Sequence, residues 1–138
     1  MQTGLPFNIT QSGDSENVDG LWERPNIVSG QDTSVSNPTA QRWFNTAAFS
    51  RAVLAYGSLP RDAVVGPGIH EFDLSISKIF KMPFSERQRL MFRAEAFNIF
   101  NTPQLGTPGS TFGTGTFGVV TGTAVDMREI QLALKYSF

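Results

Sequence analysis

His70, Glu71 and Asp73 are the chain's one cluster of side chains with the character of metal ligands. On a strand His70 and Glu71 point to opposite faces, and a chain with a single histidine and no cysteine is poorly supplied for a zinc centre or a Ser-His-Asp triad. The cluster reads as the polar start of a strand. "GTGTFG", Gly113 to Gly118, fits the G-x-G-x-x-G pattern of dinucleotide sites. That chemistry needs a helix whose N-terminus meets the pyrophosphate, and Val119 to Thr123 continue with Gly and β-branched residues. A loop is the better reading. Arg93 and Glu95 share one face of a strand, where a cation beside a carboxylate is a candidate acid or base, but more simply an ion pair. No G-K-[ST] motif occurs, so a P-loop has no support, and the absence of cysteine removes thiol chemistry and disulfides. The sequon Asn8-Ile9-Thr10 has meaning only in a eukaryotic secretory pathway. Trp22, Trp43 and Phe44 are possible ligand contacts, since aromatic faces stack on sugars and rings; packing of a long loop on itself is the better explanation of them. With no convergent titratable groups, the expectation is a protein that is not an enzyme and has no cofactor and no metal.

The elements around these residues are those of an all-β protein. Twelve Phe, thirteen Gly and eight Pro among 138 residues favour short strands and long loops. Eleven basic and twelve acidic side chains leave a net charge of −1, too weak a field to argue for nucleic acid. No run approaches the roughly 20 apolar residues of a spanning helix, and "MQTGLPFNIT" lacks the basic and apolar regions of a signal peptide. Neither point bears on a β-barrel, whose strands carry only an alternating pattern.

From Asp14 to Gly68 the chain is polar, Pro-punctuated and without sustained periodicity. "IHEFDLSISKIFKM" then alternates at period 2, with Phe72, Leu74, Ile76, Phe80 and Met82 on one side and Asp73, Ser75, Ser77 and Ile79 on the other. Lys78 falls on the apolar side, where its stem can carry the ammonium to water. After a short turn opening on Pro83, "RQRLMFRAEAFNIF" has the residue types of a helix but also alternates, Leu90, Phe92, Ala94 and Ala96 against Arg89, Met91, Arg93 and Glu95. The hairpin context favours strand. A second long loop, rich in Gly and Thr, precedes a last strand that puts Ile130, Leu132, Leu134, Tyr136 and Phe138 on one face. Two long connections and one tight turn are the asymmetry of outer-membrane barrels.

The stretches "GLPFNIT", "RPNIVSG", "WFNTAAFS", "GPGIHEFDLSISKIFK", "FRAEAFNIFNTPQLGTPG" and "IQLALKYSF" together resemble the C-terminal region of TonB-dependent outer-membrane receptors, closest to the Oar-like branch with its carboxypeptidase-regulatory-like domain. The resemblance implies an antiparallel meander of about 3–4 strands with two long loops, the C-terminal part of an incomplete transmembrane β-barrel of about 22 strands. Strands are expected near 3–11, 69–82, 86–98 and 128–138, with extracellular loops at 14–68 and 99–127. Phe72, Leu74, Ile76, Phe80, Leu90, Phe92 and the five alternate residues of the last strand would face lipid, and Asp73, Ser75, Ser77, Arg93, Glu95, Gln131 and Lys135 the lumen. Phe138, Tyr136, Leu134, Leu132 and Ile130 resemble the signal read by the barrel-assembly machinery. The implied partners are outer-membrane lipid, the remainder of barrel and plug, and an energising inner-membrane complex reached through an N-terminal part that this sequence lacks. The implied role is nutrient uptake at the cell outer membrane of a Gram-negative-type bacterium. The alternative is a small secreted β-domain binding carbohydrate or protein through Trp22, Trp43 and Phe44, which requires a second sheet over the apolar faces.

Overall fold

The computed structural model describes residues 1–15, 23–83 and 87–138. Trp22 and residues 84–86, part of the stretch expected to form a short turn, lie outside that description. Nine strands are present among the described residues: β1 (Pro6–Phe7), β2 (Thr10–Gln11), β3 (Asn26–Ile27), β4 (Phe49–Ser50), β5 (Val64–Val65), β6 (Leu74–Lys81), β7 (Arg89–Phe97), β8 (Thr111–Phe112) and β9 (Glu129–Ser137). The one helical element among them is a 3-10 turn, Thr46–Ala48, capped by Asn45, whose side chain accepts from the Ala47 amide. The chain divides into two units, Met1–Ile69 with Gln104–Ala124, and His70–Pro103 with Val125–Phe138.

The second unit is the antiparallel sheet β6-β7-β9. Its register runs from Leu74↔Ala96 to Lys81↔Arg89 across the first pair and from Arg89↔Ser137 to Phe97↔Glu129 across the second. "RLMFRAEAF" is therefore strand despite its helix-forming residues. Two neighbours supply a full ladder of backbone partners on either side of it, a gain that outweighs propensities of a few tenths of a kcal/mol per residue. At the end of β7, Asn98 and Asn101 take left-handed backbone angles, φ 49° and 51°. The buried Asn98 side chain ties the Thr102 amide and the carbonyls of Thr102 and Asp126, its own amide donates to Asp73, and Asn101 accepts from the Arg128 amide. "NIFN" thus clasps the ends of all three strands, using the tolerance of Asn for φ > 0.

In the first unit three two-residue ribbons, β1-β5, β3-β4 and the parallel pair β2-β8, surround a core of Ile9, Phe44, Ala48, Phe49, Leu59 and Val64. The expected strand near 3–11 is here corrected: it is two short strands paired inside this unit and is not a member of the meander. Phe7, Ile9 and Gln11 turn inward here and meet protein. Pro6 has no amide to donate, and the Asn8 side chain accepts from the Asp62 amide. The stretches read as loops at 14–68 and 99–127 carry short ribbons and much of this core.

Candidate functional site

Directly opposed residues in a ladder share a face, so the register sorts the sheet into two surfaces. One carries Leu74, Ile76, Lys78 and Phe80 from β6, Leu90, Phe92, Ala94 and Ala96 from β7, and Ile130, Leu132, Leu134 and Tyr136 from β9. Eleven of these twelve positions are apolar or aromatic, yet the surface stands open, with Leu132 and Leu134 each 67% exposed. A water-facing patch of this kind is what soluble monomers avoid. The second sheet that a soluble sandwich requires over it is absent among the described residues.

Aromatic rings gather at both ends of this surface. At the loop end Phe72 and Phe100 pack edge to face with centroids 5.5 Å apart, and at the turn end Tyr136 and Phe138 lie 6.0 Å apart. Ten residues separate Phe72 from Met82; at ~3.3 Å each and a tilt of about 40°, they span roughly 25 Å of height, the extent of an outer-membrane apolar band between its girdles. The single charge on the surface, Lys78, leans toward the turn end, its Nζ 5.2 Å from the Phe80 ring centroid. This is a snorkelling lysine with a cation–π contact.

The opposite surface holds Ser75, Ser77, Ile79 and Lys81, then Arg89, Met91, Arg93, Glu95 and Phe97, then Glu129, Gln131, Ala133, Lys135 and Ser137. The Arg93 guanidinium donates to Glu95 Oε1 at 2.6 Å, as the i, i+2 spacing predicts. No group of three or more His, Cys, Asp and Glu side chains suited to a metal occurs among the described residues. Asp32, in the first unit, has its carboxyl held below the usual value by the Ser34 amide, which donates to it at 2.9 Å.

The aromatic residues proposed as ligand contacts are separated by the structure. Phe44 is 1% exposed and sits at the hub of a ring cluster, 6.2 Å from Phe7, 5.6 Å from Phe49 and 5.0 Å from Phe117 between centroids. It is a core residue, and its assignment as an exposed stacking surface is corrected accordingly. Trp43 is half-buried; its Nε1 donates to the Val65 carbonyl at 2.8 Å, and its ring borders a cavity of about 320 Å³ with Thr33, Pro38 and Ala63. Trp22 lies outside the described residues. "GTGTFG" forms a tight turn that inserts Phe117 among the rings of Phe44, Phe49 and Phe112. Gly118 has φ 77°, and a Cβ there would approach Thr46 Cγ2 to 2.7 Å, so glycine at this place serves packing and not phosphate. Sequence patterning missed the buried pair Gln11 and Glu23: the Gln11 amide donates to Glu23 Oε2 at 2.8 Å and accepts from the Ala52 amide at 3.0 Å. Their only sequence signal was a Gln at the inward phase of an apolar alternation.

Comparison with known proteins gives one family match. A family model described as an outer membrane beta barrel domain covers residues 1–131. No curated protein and no solved structure matches the chain.

Proposed function

This chain belongs to the outer-membrane β-barrel domain family, and on that premise we propose that it forms part of the barrel of a TonB-dependent receptor of the Oar-like kind, taking up a scarce nutrient. Its place is the outer membrane and its surroundings are membrane lipid. The observation that carries the reading is the sorting of β6-β7-β9 into an open apolar surface bounded by aromatic rings and an opposite charged surface. Lipid covers the first in this reading and the barrel lumen the second. β6 and β9 are the sheet's two edges among the described residues; further strands must pair with them, because an unpaired edge in hydrocarbon costs several kcal/mol per group.

In this reading the loop-built unit stands outside the cell, where Trp43 and its cavity are the place to seek a ligand contact. Phe138, Tyr136, Leu134, Leu132 and Ile130 act as the signal for the barrel-assembly machinery. A plug fills the lumen, and an inner-membrane complex supplies energy. The role is transport, not catalysis. The test is growth on a panel of limiting nutrients: a nutrient whose use is lost both on deleting the receptor and on deleting the energising complex supports it, and a panel with no such nutrient refutes it. Removing Phe138 from the full-length receptor should lower its outer-membrane level on quantitative blotting; an unchanged level removes the assembly role.

A further inference from the structure

A cavity of about 260 Å³ opens in the loop-built unit, bordered among the described residues by Asn8, Ile9, Thr10, Arg24 and Arg61. None of these five carries a carboxylate, and two carry a guanidinium. Hydrogen bonds between distant segments fix the wall. Arg24 is half-buried, and its Nη1 donates to the Leu59 carbonyl at 2.9 Å while the Leu59 amide donates to the carbonyl of Pro25, so one end of this guanidinium is tied to the core. On the other side the Asp62 amide donates to Asn8 Oδ1 at 3.0 Å. A backbone N–H only donates, so the oxygen of Asn8 has to face it, and the NH2 end is left without a partner among the described residues. Glu23, the carboxylate next to Arg24 in the chain, is committed elsewhere: it is buried and accepts from the Gln11 amide and from the Ser15 backbone. The ion pair formed among the described residues is Arg93 with Glu95, and neither Arg24 nor Arg61 belongs to it.

We infer that this cavity binds an oxyanion, the phosphate or carboxylate group of a small molecule, with Arg24 and Arg61 as its charge partners and the Asn8 NH2 and Thr10 hydroxyl as further donors. Two guanidinium groups that border one hollow repel each other, and an anion between them turns the repulsion into two attractions. Their planar forks match the oxygens of phosphate and carboxylate. Arg24 spends one N–H on the Leu59 carbonyl, which holds the fork still and leaves its other donors for the ligand. Size narrows the class. The cavity is smaller than the roughly 300–1,000 Å³ of drug-sized sites, so it takes a small solute or the anionic head of a lipid, two sources with the same chemistry. It shares no bordering residue with the cavity beside Trp43, and it stands independently of which face of the sheet meets lipid. Asn8, Arg24 and Arg61 are far apart in the chain, so no motif announces them.

The experiment titrates inorganic phosphate and citrate by calorimetry into the full-length protein purified in a neutral detergent, and measures the lipid phosphorus that the purified protein retains. Saturable binding of at least one of the two anions is expected. R61Q should weaken it about tenfold, the worth of one hydrogen-bonding charge; Arg61 is exposed and has no hydrogen bond among the described residues, so the fold does not depend on it. N8D is the sharper variant. It keeps an oxygen for the Asp62 amide, and with it the local structure, but replaces the donating NH2 by a carboxylate oxygen, so binding should be lost at an unchanged melting temperature. If N8D does not fold, R61Q decides. A free solute as the natural occupant gives this result directly. A lipid headgroup gives instead stoichiometric phosphorus retained by the wild type and missing from N8D, with anion binding only after that lipid is stripped. The inference is overturned if the wild type neither binds the anions nor retains phosphorus, or if what it holds is held equally by N8D and R61Q, which would put the anion elsewhere. Loss of the nutrient-uptake reading would leave each of these outcomes unchanged.

Discussion

In the loop-built unit Phe7, Ile9 and Gln11 alternate inward onto a core of rings, whereas in the sheet Ile130, Leu132 and Leu134 alternate onto a surface left open. The first unit has ribbons of two residues each, so its backbone ladders are short and burial must hold it. Phe44 stands at the centre of that burial, and side chains such as Asn8, Trp43 and Arg51 tie distant backbone segments around it. The sheet reverses the balance, with eight and nine register pairs in its two ladders and no buried apolar side chain among its described residues. Its apolar surface gains stability by leaving water for lipid, at about 25 cal/mol per Å². Alternation at one and the same period thus serves two solvents, protein interior and bilayer.

The contrast makes separate demands on mutants of the two regions. Phe44→Ala should cost the loop-built unit about 3–5 kcal/mol, the range for truncating a buried Phe. Hydrogen exchange should then show protection lost around Ile9, Phe49 and Val64 and kept in β6-β7-β9; loss of both together would mean the two regions fold as one. Leu132→Arg comes next. A guanidinium at mid-height on the lipid side costs about 2–4 kcal/mol, so the folded fraction in outer membranes, read by heat-modifiable gel mobility, should fall, while Gln131→Arg beside it should leave that fraction near wild type. Equal effects would erase the assignment of faces. Glu95→Gln should be mildest, with about 0–1 kcal/mol lost because the pair with Arg93 is partly exposed. A larger shift in the urea midpoint would reveal that the pair is shut away from water by an occupant.

The sheet was the legible part of this chain. Its three strands lie within the expected spans 69–82, 86–98 and 128–138, because each has a run of eight or nine residues over which the period can be read. The loop-built unit was not legible. Its strands are too short for a period to register, and its core is assembled from Ile9, Phe44, Leu59 and Phe117, far apart in the chain. Phe44 and Trp43 are adjacent and chemically alike as stacking surfaces, yet one is the hub of the core and the other borders a cavity. Alternation sends neighbours to opposite sides, but it does not say which side is filled.

Local chemistry was enough to make this chain all-β, to pair Arg93 with Glu95 and to divide the three long strands into an apolar and a charged side, since a pleat with period 2 is a property of consecutive residues. Long-range pairing settled the rest. Whether an alternating segment is covered by protein depends on which strand comes to lie beside it, and for 3–11 those partners are Val64, Val65, Thr111 and Phe112. Burial is a relation between distant parts of a chain, so it is absent from any short stretch of sequence and appears only when the fold brings those parts together.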